Sequence, residues 1–146
     1  EVLLLLQSTT VLTRPYCLLE LLTAIDHGVP IVGVSVVGRH ASAGFDHAAA
    51  ETFLANLDAR LDGRATALLA QNGVTDLVDA AYKLSCTLPK VISIPFDPSA
   101  SRNVLRGTIT DIAEAMSHAR TLPLPDKDAW HTSRVADQNI LDQTDQ

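Results

Sequence analysis

Residues 1–25 read EVLLLLQSTTVLTRPYCLLELLTAI. Residues 2–6 form an unbroken apolar run. It is short for a helix and typical of a strand covered on both faces of a parallel sheet. Gln7, Ser8, Thr9 and Thr10 bring turn chemistry. Thr13 is the expected cap of the following helix. Pro15 suits a first helical turn, where its missing N–H would have no intrahelical partner anyway. Leu18, Leu21, Leu22 and Ile25 then recur at i, i+3, i+4 and i+7, one face of a helix. Glu20 is off this stripe, one turn after Tyr16 and three residues after Cys17, so the three share a neighbourhood on the helix surface. In an open α/β sheet, ligands bind outside the carboxyl ends of the strands. A carboxylate early in the next helix is therefore placed where chemistry could occur. The competing reading is a solvated glutamate near the positive end of the helix dipole.

The next residues extend this start into a unit. Asp26, His27, Gly28, Val29 and Pro30 form a helix exit, with Gly28 at the cap region and Pro30 just beyond. Residues 31–37 are rich in Val and Ile and read as a second strand. Strand, helix and strand make one right-handed βαβ unit.

Residues 38–44 read as a loop of small residues in which His40 is a solvated histidine. Residues 45–61 are expected to be one helix. Its apolar face is Phe45, Ala49, Phe53 and Leu57 with Ala50, Leu54 and Leu61, and Asp46, Glu51, Asp58 and Arg60 face water. Asp62 and Gly63 break it. A short helix follows over 65–71, then one over 76–86 capped by Thr75, with Leu77, Ala80, Ala81 and Leu84 inside. Cys86 reads as a small buried hydrophobe rather than a nucleophile. Residues 91–96 are the third strand. A turn over 97–101 leads into a helix over 102–120, with Val104, Leu105, Ile109, Ile112 and Met116 on its apolar side and Arg102 exposed at its start. Residues 1–122 thus form one α/β domain. Residues 123–146, opened by Pro123 and Pro125, are expected to be a polar, mobile tail with a short docked turn at Trp130.

At 146 residues the chain is one domain by size, with 47% hydrophobic and 19% charged residues, the balance of an ordinary globular α/β protein. The net charge of −6 comes with no basic stripe, which argues against a nucleic-acid partner. Cys17 and Cys86 make neither a disulfide framework nor a metal-ligand pattern, and reduced thiols of a cytoplasmic protein are the default reading. The apolar run at 2–6 is far too short to span a membrane and has no basic flank. No Gly-rich nucleotide-binding motif occurs. Glu1 runs straight into a core strand without an initiator Met, as expected of a piece of something longer.

Tyr16, Cys17, Leu18, Leu19, Glu20 and Leu21 resemble the aromatic-Cys-x-x-Glu-Leu motif of TIR (Toll/interleukin-1 receptor) domains. There the motif opens the third helix, directly after the third strand. The family more often carries Trp where this chain has Tyr16. The preceding LLLLQSTTVLTRP is similar to the TIR third strand and its loop. The resemblance covers roughly residues 1–120. It implies a flavodoxin-like parallel sheet with helices on both faces, here a partial, three-strand TIR-like domain. Residues 2–6, 31–37 and 91–96 would take the places of strands three, four and five, and 102–120 that of the last helix. The region 45–86 would be an enlarged fourth-helix region. The first strand, second strand and two helices of the family would lie outside this chain. Residues 2–6 would then be an exposed apolar edge, and one wall of the binding crevice would be missing.

Many TIR domains cleave NAD at its nicotinamide–ribose bond, and in those the motif glutamate is essential. The resemblance implies that role for Glu20, with Ser8, Thr9 and Tyr16 as candidate substrate contacts. NAD would be the substrate, with no further cofactor and no metal. A nearby carboxylate suits this chemistry because bond cleavage builds oxocarbenium character on the ribose. Other TIR domains are non-catalytic adaptors that signal by associating with one another, and the motif glutamate occurs in some of them. A generic flavodoxin-like binding module is the third possibility.

Overall fold

A computed structural model describes residues 1–38 and 45–144, with side chains as far as residue 136 in the last helix. The expected loop histidine, His40, lies outside the described residues. Three parallel strands, β1 (Leu3–Gln7), β2 (Ile31–Val36) and β3 (Ser93–Phe96), lie in the order β1-β2-β3. Helix α1 (Pro15–Asp26) joins the first two strands. Helices α2 (His47–Ala55), α3 (Leu57–Arg60), α4 (Gly63–Gln71) and α5 (Leu77–Thr87) join the second and third. Helix α6 (Arg102–His118) and helix α7 (Lys127–Thr144) follow. This is an α/β fold, a parallel sheet flanked by helices, consistent with part of a flavodoxin-like architecture.

Both crossovers run the same way across the sheet, so handedness puts their helices on one face. That face holds the main core. Leu5 of β1 packs with Leu18, Leu21 and Leu22 of α1, Leu54 and Leu57 of α2 and α3, Leu69 of α4 and Leu84 of α5. Leu18, Leu57, Leu69 and Leu84 are fully buried. After β3 the chain turns back, and α6 lies over β3 and β2. Val32 and Val34 are buried outside the first cluster. In register they sit beside Leu4 and Leu6, on the face opposite Leu5, since neighbouring strand residues alternate in direction. Helix α6 does not extend to β1, so Leu4 is 39% and Leu6 58% exposed. The run at 2–6 is thus covered on one face rather than two. Among the described residues no strand pairs with the outer edge of β1.

Several local expectations shift. Thr13 does not cap α1. It closes a 3-10 turn over Val11–Thr13, and its Oγ1 donates to the Thr10 carbonyl at 2.9 Å, while Arg14 takes the cap position. Asp76, not Thr75, caps α5, accepting the Asp79 N–H. The single helix expected over 45–61 breaks at Asn56, whose side-chain Nδ2 donates to the Thr52 carbonyl at 3.0 Å. Asparagine competes in this way with the backbone ladder. Strand β3 begins only at Ser93, because Leu88–Lys90 form a 3-10 turn around Pro89. Gln7 is not a turn residue. It is the last residue of β1, 3% exposed, and accepts a hydrogen bond from Ser93 Oγ of β3.

Residues expected to form a mobile tail carry α7. Trp130 Nε1 donates to Ser85 Oγ at 3.1 Å, and its ring meets Tyr82 edge-on at 5.5 Å. Tyr82 donates its hydroxyl to the Pro125 carbonyl. Arg134 pairs with Asp58 at 2.6 Å and stacks over Trp130.

Candidate functional site

Helix α1 runs back along β1, and this direction decides where its polar face lies. Tyr16, Glu20 and Thr23 are exposed on that face, one turn apart, and His27 follows at the cap. The motif glutamate therefore has its aromatic neighbour beside it, as the helical spacing requires. Tyr16 is 64% exposed. Glu20 lines an open shelf of about 700 Å³ together with Glu1, Val2 and Leu3 of the β1 start, Leu19, Thr23 and His27. Among the described residues Glu20 has no hydrogen-bond or ion-pair partner. The shelf is open and meets β1 at Leu3, on a strand whose outer edge no described strand pairs.

Ser8 and Thr9 do not line this shelf. Both are exposed and follow β1 at its carboxyl end. Strand β1 ends at Gln7, four residues and roughly 13 Å beyond Leu3, and Thr9 lies past it in a turn. It lines a different cleft with Leu12, Thr13, Phe53 and Arg60. Tyr16 and Glu20 share the exposed face of α1, while Thr9 and Glu20 line different clefts. Sequence reasoning put Glu20 at the carboxyl end of the strand because the helix begins there. One and a half turns of helix carry it back toward the strand's start.

The charged groups with altered ionisation lie at the α5–α7 contact. Asp79 sits between Lys127 and Lys83, at 2.5 and 2.9 Å, and Lys83 also reaches Asp26 of α1 at 2.6 Å. The hydrogen bond from Lys127 and those charges hold the Asp79 carboxyl below its ordinary range, against the opposing effect of burial. Lys83 is pushed up, first by its bond to Asp26. Burial raises the Cys86 thiol, which keeps it protonated and a poor nucleophile. The Asp79–Lys83 pair was legible as an i, i+4 spacing; Lys127, 48 residues away, carried no local signal.

Among the described residues no cluster of three or more His, Cys, Asp or Glu could hold a metal ion. No helix of the described residues is long and apolar enough to cross a membrane. The fold and the shelf define a parallel α/β unit with an exposed helix carboxylate beside an open sheet edge. Comparison with models of protein families, with curated proteins and with solved structures finds no match.

Proposed function

We propose that this chain is the C-terminal part of a TIR-like domain of the cytoplasm that cleaves the nicotinamide–ribose bond of NAD, with Glu20 as the catalytic carboxylate. The observation that carries this reading is Glu20 itself, exposed and unpartnered on a shelf beside the unpaired edge of β1. In the proposed reaction the C1′–N bond breaks and its electron pair leaves with neutral nicotinamide. Positive charge develops on the ribose, and the Glu20 carboxylate stabilises it. Water then adds at C1′ and releases a proton to solvent. Tyr16, one turn away, would contact the substrate. Elements paired to the free edge of β1 would supply the facing wall, so this chain alone should release little or no nicotinamide.

The test is nicotinamide release by a longer form that carries those elements, compared with its Glu20→Gln variant. Gln keeps size and hydrogen bonding and removes the charge. Turnover should fall to background while folding stability, read from melting curves, changes by less than about 0.5 kcal/mol, as for a surface site. Equal turnover in both forms would remove Glu20 from the chemistry.

A second reading is an adaptor that acts by self-association with other TIR-like domains. Leu4 and Leu6, exposed on an unpaired edge strand, favour it. An adaptor would show no NAD turnover before the substitution and association that does not depend on Glu20.

A further inference from the structure

The cleft at the carboxyl end of β1 is separate from the Glu20 shelf. Its volume is about 640 Å³, within the range of small-molecule sites. It also lies where open parallel sheets bind ligands. The turn after β1 forms one wall and α2 the other, with Arg60 of α3 at the rim. Buried Leu12 and the half-buried rings of Phe45 and Phe53 give it an apolar floor.

Its polar groups are unevenly committed. Thr13 Oγ1 already donates to the Thr10 carbonyl, and Thr52 Oγ1 to the Ala48 carbonyl at 3.0 Å. Asp46 Oδ1 accepts the Ala49 N–H at the start of α2. The Arg60 guanidinium and the Thr9 hydroxyl have no partner among the described residues. The cleft therefore offers a ligand two donors, one of them cationic, beside an apolar aromatic surface. We infer that it binds a small amphipathic carboxylate, an apolar or aromatic body with one carboxylate group. The body lies against Leu12, Phe45 and Phe53, and the carboxylate takes a forked pair of hydrogen bonds from Arg60. Asp46 shares the lining, and its charge selects against a doubly charged phosphate.

This inference is independent of the Glu20 reading. It is tested by amide NMR titration of the 146-residue chain with 4-phenylbutyrate, with its neutral amide, and with inorganic phosphate. The expected result is saturable shifts from 4-phenylbutyrate at amides 9–13, 45–54 and 60. The neutral amide and phosphate should bind at least about tenfold more weakly, and Arg60→Gln should weaken 4-phenylbutyrate by a similar factor. Arg60 is exposed, so unchanged spectral dispersion will show that the variant is folded. Thr9→Val, also at an exposed site, should cost a smaller factor. Shifts that do not saturate or map elsewhere would overturn the proposal. So would equal binding of acid and amide, phosphate binding as tight as the acid, or wild-type affinity in Arg60→Gln.

Discussion

Gln7 and Gly33 show how one side chain sets its neighbour. The Gln7 side chain lies over the middle strand and accepts from Ser93 Oγ on β3. It can do so because residue 33 has no side chain. A Cβ there would meet Gln7 Nε2 at 3.1 Å and the Ile92 carbonyl at 3.2 Å. The amide thus ties the first strand to the third across a glycine, inside a face otherwise filled with leucine. Gly33→Ala should destabilise the protein by about 1–3 kcal/mol, the usual cost of overpacking, as read by urea denaturation. A neutral result would mean that the Gln7 side chain can swing away without losing a needed bond.

Helix α7 illustrates what an element gains from distant partners. Its sequence is polar, and an isolated helix of that kind is marginal in water. Trp130 and Arg134 dock it on α5 and α3, and Lys127 ties its start to Asp79. Asp79 is held below its ordinary ionisation range, so as pH falls the unfolded chain takes up this proton first. The stability it contributes is full above roughly pH 4 and is lost as the pH falls through its lower folded value. Asp79→Asn should lower the melting temperature at neutral pH, and the gap to the wild type should close as the pH drops below about 4. A gap that is the same at pH 7 and pH 3 would show that the carboxylate charge is not what holds α7.

At the scale of the molecule, the sheet is finished on one side and bare on another. Helix α6 covers β2 and β3, yet Val104 and Ile109 on it are 55% and 57% exposed. Leu4 and Leu6 add exposed apolar surface on β1, whose outer edge no described strand pairs, and such surface favours association. The chain should self-associate with rising concentration, and Leu6→Lys should suppress it without loss of fold. Sedimentation velocity at low and high concentration will read this. Identical sedimentation of both proteins would exclude the β1 edge as the contact.

Much of the fold was legible because its signals are local. Leu18, Leu22 and Ile25 repeat at helical spacing, and an apolar run bounded by turn residues marks a strand whatever its surroundings. The order strand, helix, strand then leaves only a parallel pairing of short connections. The pairing of Tyr16 with Glu20 is also local, since one helical turn sets it. Four features were decided only by the tertiary structure. Gln7 became a buried core residue because a glycine from another strand left room for it. Residues 127–144 became a docked helix because Tyr82, Ser85 and Asp58 met Trp130 and Arg134 from far along the chain. Glu20 and Thr9, eleven positions apart, came to line different clefts because α1 reverses direction after β1. Leu4 and Leu6 stayed exposed because α6 stops over β2. Spacing along a chain encodes which residues share a face; which face another element covers depends on where the chain returns in space.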